Sequence, residues 1–285
     1  MTIHDAGRQL LLQLLPVYEE REAGNIADWV MESITGWTKI DRVINKTLRL
    51  SAIQKDTLAA YTRDLLAHKP VQYVLHEAWF YGMKLYVDEN VLIPRPETEE
   101  LVEWIVGEAR ASGARPPAIL DVGAGSGCIA LGLKKGLPQA SVYGCDISAG
   151  ALSVARRNAA AQHLDITLQQ LDFLSAPARQ ALPVFDIIVS NPPYIPVRDK
   201  AGMAANVLNH EPHLALFVAN NDPLQYYKAI AAFAQERLAP GGAIYLEIYE
   251  EAGNTVLTLF REAGFTHTVL RKDLQQKNRM VKACI

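Results

Sequence analysis

A chain of 285 residues, 49% hydrophobic and 21% charged, has the make-up of an ordinary soluble globular protein of one large or two small domains. A net charge of −3 excludes a whole-chain basic field of the kind that drives binding to nucleic-acid phosphates. Cys128, Cys145 and Cys284 are odd in number and fit neither a disulfide framework nor a metal pattern, so no metal is expected and a reducing, cytoplasmic setting is.

Residues 1–75 read as a helical N-terminal domain. Leu10, Leu11, Leu14 and Leu15 share a face, and Pro16 divides two helices. Ile26, Trp29, Val30 and Ile34 line the second, which Gly36 stops. A third runs through Ile40, Val43, Ile44 and Leu48. Ser51 caps a fourth through Ile53, Leu58, Tyr61, Leu65 and Leu66, closed by Pro70. These stripes are expected to be core. Asp5, Arg8 and Gln13 interrupt the first leucines, so no signal-peptide layout is read there. No apolar run approaches the ~20 residues of a bilayer span.

Residues 76–96 change character. Ala78 to Tyr81, Gly82, then Met83 to Val87 predict a short hairpin. Ile93-Pro94-Arg95-Pro96-Glu97-Thr98-Glu99 follows as an extended hinge, with a helix starting at Pro96 or Glu97 and running through Leu101, Val102, Trp104, Ile105 and Val106. Residues 97–285 then alternate strand and helix. Strands are expected at Ile119–Val122, Ser141–Cys145, Ile166–Leu168, Phe185–Val189 and Ala243–Ile248, with a final antiparallel pair at Phe265–Leu270 and Met280–Ile285. The alternation predicts an α/β fold, a doubly wound and mostly parallel sheet covered by helices.

The first strand runs into Asp121-Val122-Gly123-Ala124-Gly125-Ser126-Gly127. A dinucleotide fingerprint needs its third glycine at position 128, and that residue is Cys128. The G-x-G-x-G spacing after an acidic residue suits S-adenosyl-L-methionine better than a nicotinamide. Asp121 is then placed to face the cationic methionine end. Asp146, ending the second strand, can accept from the ribose hydroxyls. It can equally be a helix N-cap. Asp172 can accept from the adenine amino group, and Phe173 can stack on the ring. Cys128 and Cys145 read as buried thiols.

Two adjacent prolines end the fourth strand at Asn191-Pro192-Pro193-Tyr194, because neither can donate to a sheet ladder. The tetrapeptide therefore lies at the carboxyl end of the sheet, where ligands of open α/β folds bind. Asn191 offers a carbonyl acceptor, Pro192 a backbone carbonyl in a fixed direction, and Tyr194 a flat face. Such a group can grip a planar –NH2. The alternative is that the prolines only end the strand and Tyr194 packs.

Taken together these residues resemble the class I S-adenosylmethionine-dependent methyltransferases, and more narrowly the PrmC (HemK) family of protein-glutamine methyltransferases. The resemblance covers nearly the whole chain. It includes Pro70-Val71-Gln72-Tyr73, Phe80-Tyr81-Gly82, Ile93 to Glu99, Asp121 to Gly127, Asp146-Ile147-Ser148, Ser190 to Ile195, Glu211-Pro212, Gly241-Gly242, Lys272-Asp273-Leu274 and Asn278-Arg279-Met280. The sequence departs from the family at His76 and Tyr249, where glycine is usual, and at Pro223.

The resemblance implies a seven-stranded sheet and methylation of the glutamine in the Gly-Gly-Gln loop of peptide chain release factors, leaving S-adenosyl-L-homocysteine. Asn191, Pro192 and Tyr194 are the expected catalytic residues. Pro193, Arg95 and Glu97 join them against substrate, the last two by resemblance alone. Cofactor contacts are expected from Asp121, Gly123, Ala124, Gly125, Ser126, Gly127, Asp146, Asp172, Phe173 and Asn191. No strong general base is evident, so the proton is expected to leave after transfer. A monomer without membrane or stable nucleic-acid partners is expected. The rivals are an amino-group methyltransferase of adenine or guanine in nucleic acid and an enzyme acting on a glutamine of a ribosomal protein.

Overall fold

A computed structural model describes residues 1–113, 115–203 and 205–285. They fall into two compact units: Met1–Glu77 with Ala204–His210, and Ala78–Met203 with Glu211–Ile285.

The first unit is helical. Its helices span Ile3–Leu14, Glu20–Thr35, Lys39–Ile44, Ala52–Leu66 and Val71–Leu75, joined by Ala205–His210. Thr2, Thr38 and the predicted cap Ser51 each close a reciprocal capping box, with Asp5, Asp41 and Gln54. Gly36 ends the second helix at φ 70°, a left-handed position that suits glycine. The core holds Leu10, Leu14, Ile26, Val30, Leu58 and Leu65.

The third apolar stretch departs from expectation. Ile40, Val43 and Ile44 are 73%, 64% and 73% exposed. The helix instead turns Arg42 inward, where its guanidinium donates to the Trp37 carbonyl and to Asp28. A buried cation needs those partners, and they dictate the helix rotation. The sequence does not predict the fifth helix, Val71–Leu75, which ends on His76 in the left-handed conformation.

In the second unit a hairpin pairs β1 (Ala78–Phe80) with β2 (Met83–Leu85). Tyr81 and Gly82 both take positive φ, as a two-residue hairpin turn requires. The helix Pro96–Ser112 starts at the predicted proline. β3 (Ala118–Val122), β4 (Ser141–Asp146), β5 (Thr167–Gln170) and β6 (Phe185–Ser190) are parallel neighbours. A short pair, β7 (Ile195–Pro196) and β8 (Phe217–Val218), lies apart. β9 (Leu238–Glu247) joins β6 in parallel, and β10 (His267–Lys272) and β11 (Asn278–Cys284) close the sheet as the predicted antiparallel pair.

The order is β10-β11-β9-β6-β3-β4-β5. It reverses direction between β3 and β6, so the crevice at their carboxyl ends is the switch point where ligands bind. Apolar layers cover both faces of the sheet, one around Phe185, Ile230 and Phe260 and the other around Leu101, Ile105 and Leu133. No helix of the described residues is long and apolar enough to cross a membrane.

Candidate active site

One cavity opens at that switch point. Its wall brings together Gly123, Ala124, Gly125 and Ser126 after β3, Asp146 at the end of β4, Asp172 and Phe173 after β5, and Asn191, Pro192 and Pro193 after β6. Arg95 also lines it. Asp121, Gly127, Tyr194 and Glu97 do not.

The glycine turn is tied to β4. Gly123 and Ala124 N–H groups donate to the Cys145 carbonyl at 2.9 and 3.0 Å, and Gly125 N–H donates to Asp146 Oδ2 at 2.9 Å. Gly127 begins the next helix, Cys128–Gly136, at φ 80°. A Cβ there would stand 3.2 Å from the Ala155 Cβ, so glycine serves both the turn and close packing on the helix Ala149–Gln162. Gly123, at φ 78°, has open space where its Cβ would be.

Asp121 lies behind this turn rather than on the wall. It is fully buried; Oδ2 accepts from the Ala130 N–H at 3.1 Å, and Oδ1 has no partner among the described residues. Burial pushes its carboxyl up to about 7, with Asp146 adding to the rise. An orphaned buried acceptor beside a glycine turn fits a cationic ligand held directly or through water. Cys145 is buried as expected, but Cys128 is only partly so and lines the cavity. Burial pushes both thiols up to about 12, so they are poor nucleophiles.

Asp146 is not the helix cap. Ser148 is, accepting from the Ala151 N–H, while Asp146 Oδ1 accepts from the Ser148 N–H at 2.8 Å. Ser148 takes the cap because its hydroxyl reaches the helix N3 amide. Asp172 Oδ1 accepts from the Leu174 N–H. Phe173 is buried edge-on against Phe233, with ring centroids 5.3 Å apart. Its ring is thus largely committed to core, and exposed Ile147 and half-buried Tyr226 supply further apolar wall.

Asn191 is held from the start of the Pro96–Ser112 helix. Its Nδ2 donates to Thr98 Oγ1 at 3.2 Å, and Thr98 Oγ1 donates to Glu247 Oε2 at 2.6 Å. Tyr194 Oη donates to the other oxygen, Glu247 Oε1, at 3.3 Å and stacks on Tyr249. Burial pushes the Glu247 carboxyl up to about 7 against the opposing pull of Thr98 and Arg279. The Tyr194 hydroxyl is pushed well above its ordinary value by burial and by Glu247.

Sequence reasoning missed Thr98 and Glu247 as members of this cluster. It also missed Asn158, which is buried, donates to the carbonyls of Ser126 and Tyr86, and accepts from the Tyr86 N–H. A polar residue inside the alanine-rich helix Ala149–Gln162 was the available signal. Among the described residues no cluster could hold a metal ion.

Residues 9–75 match the PrmC N-terminal domain and residues 109–216 the Methyltransferase small domain. A release factor glutamine methyltransferase of Flavobacterium psychrophilum is 40% identical over 283 residues, covering 99% of each chain. One from Streptococcus pneumoniae is 48% identical over 220 residues, 77% of this chain and 76% of its own. Among solved structures, a methyltransferase from Pyrococcus furiosus superposes with a TM-score of 0.51 at 16% identity, covering 80% of this chain and 100% of that one, a likeness of fold alone. Similarity that runs the length of both chains at such identity places this protein in a family: the chain belongs to the release factor glutamine methyltransferases.

Proposed function

We propose that this enzyme transfers a methyl group from S-adenosyl-L-methionine to the side-chain amide nitrogen of the glutamine in the Gly-Gly-Gln loop of peptide chain release factors. The observation that carries the reading is that the glycine turn and Asn191-Pro192-Pro193 line the same cavity. S-adenosylmethionine, when bound, supplies an electrophilic methyl on a sulfonium. Gly123 to Ser126, Asp146 and Asp172 are the residues to hold it, with Asp121 behind the turn toward its cationic end.

An amide nitrogen is a poor nucleophile, because its lone pair is delocalised into the carbonyl. The protein's task is therefore to orient it, and orientation is worth ~7–11 kcal/mol of effective-molarity advantage. The Asn191 side-chain carbonyl and the Pro192 backbone carbonyl accept the two amide hydrogens. Both acceptors draw electron density onto the nitrogen and aim its lone pair. Tyr194, half-buried and off the cavity wall, acts by holding Glu247 and stacking on Tyr249 and not by covering the substrate face. Arg95 acts through the shape of the entry segment, which its ion pair with Glu211 holds. An enzyme of this kind works in the cytoplasm, on translation termination.

The test is methyl transfer from labelled S-adenosylmethionine to a purified release factor, beside its Gln→Ala variant in the Gly-Gly-Gln loop and with bulk DNA and ribosomal RNA as competing acceptors. Label on the wild-type factor alone is expected. Label on nucleic acid alone would overturn the reading.

A further inference from the structure

We infer that Thr98 and Glu247 form a positioning relay that sets which way the Asn191 amide points; the inference rests on the proposed role of Asn191. Hydrogen-bond polarity fixes the direction. An ionised carboxylate only accepts, so the single Thr98 hydroxyl proton must go to Glu247 Oε2, and the contact is 2.6 Å. With its proton spent, Thr98 Oγ1 can only accept from Asn191. The Asn191 group that faces it must be the NH2 end, at 3.2 Å. The Asn191 carbonyl is therefore turned away from Thr98, available to take a hydrogen from a substrate amide.

The polarity is thus passed from a charge on β9, through the first turn of the Pro96–Ser112 helix, to the residue after β6. Were Glu247 neutral, its O–H could donate to Thr98, Thr98 could donate to Asn191, and the amide would turn its NH2 end to the substrate. A substrate –NH2 cannot donate to that end.

Several features hold the relay rigid. Thr98 and Glu247 are both 2% exposed, so water does not compete for their hydrogen bonds. The second carboxylate oxygen is engaged by Tyr194, and the Glu247 backbone carbonyl accepts from Tyr227 Oη at 3.2 Å. The charged and titratable groups coupled to the carboxylate are Arg279, Glu97 and Tyr194, with Tyr227 and Cys128 beyond them. Its elevation to about 7 places the change of polarity within reach of an activity profile.

The experiment compares Thr98→Val, Thr98→Ser and Glu247→Gln with wild type, each first shown to melt cooperatively. Thr98→Val keeps the shape and removes the hydroxyl. It is expected to lower kcat toward a release factor about 10- to 100-fold, with S-adenosylmethionine affinity held within about twofold. Thr98→Ser restores the hydroxyl and is expected to recover most of the loss. Wild-type kcat at saturating cofactor is expected to fall as pH drops below about 7, and the Glu247→Gln profile to be flat over that range.

Nuclear magnetic resonance of the Asn191 side-chain NH2, identified by its absence in Asn191→Ala, gives an activity-free readout. Thr98→Val is expected to shift those resonances and Thr98→Ser to leave them in place. Retention of wild-type kcat by Thr98→Val, unmoved Asn191 resonances, or a pH break that survives in Glu247→Gln would overturn the relay. If wild type methylates no release factor, the proposed function fails, and the resonance experiment still decides the relay.

Discussion

Arg95 and Glu211 form an ion pair at 2.5 Å, with the Glu211 side chain only 1% exposed and Arg95 at 35%. Glu211 also accepts from the Ile93 N–H, so one carboxylate holds the Ile93–Arg95 segment that leads into the Pro96–Ser112 helix. This is the physical content of the proline-rich motif. Arg95→Ala is expected to cost about 1–3 kcal/mol, less than a fully buried pair because solvent reaches the arginine. Adding Glu211→Gln should recover part of that loss by removing the stranded charge, and denaturant unfolding of the two single variants and the double measures the coupling.

Asn191→Ala should separate chemistry from binding. Turnover on a release factor is expected to fall about 100-fold, while S-adenosylmethionine affinity changes by no more than a few-fold. Calorimetric titration beside single-turnover kinetics decides it; equal losses in both would remove Asn191 from its assigned role.

The buried Asp121 predicts a pH dependence of cofactor affinity. Its folded-state carboxyl is raised to about 7 from an ordinary 3.8. The folded, ligand-free protein therefore holds a proton that the unfolded chain has lost, and this group's contribution to stability declines as pH rises through that window. A cationic methionine end reverses the preference by favouring the ionised form. Affinity for both S-adenosylmethionine and S-adenosylhomocysteine should thus weaken as pH falls below about 7, with proton release on binding measurable by calorimetry in buffers of different ionisation enthalpy.

The glycine turn offers a paired test. Gly127→Ala meets both a left-handed backbone at φ 80° and a Cβ contact of 3.2 Å with Ala155, so it is expected to destabilise by about 2–4 kcal/mol. Gly123→Ala meets the backbone penalty alone and should cost about 1–2 kcal/mol. Its larger effect is expected on cofactor affinity, because the added methyl projects into open space in a turn that lines the cavity. Thermal melts with and without S-adenosylhomocysteine separate the two.

His163 ends the helix Ala149–Gln162 at φ 53°, exposed and left-handed. Relief of that strain in His163→Gly, less the extra flexibility of glycine in the unfolded chain, is expected to stabilise by about 0.5–1 kcal/mol. Methyl transfer should not change, and a rise in the midpoint of chemical denaturation checks the gain.

The sequence by itself determined the chain order of the seven strands of the main sheet, the helix boundaries at Ser51, Gly36 and Pro96, and the position of the cavity at the strand ends. Each of these rests on local chemistry: proline lacks a donor, glycine tolerates positive φ, and apolar periodicity reports which face is covered. Only the tertiary structure decided the rest. Asp121 lies behind the turn and Tyr194 off the cavity wall against Glu247 and Tyr249, because depth in a fold follows from packing and has no local signature. Ile40, Val43 and Ile44 face outward because Arg42 claims the inward side through Asp28 and Trp37. Thr98, Asn191 and Glu247 meet across separations of 93 and 149 residues, and hydrogen bonds of that reach exist only once the sheet has brought its strand ends together.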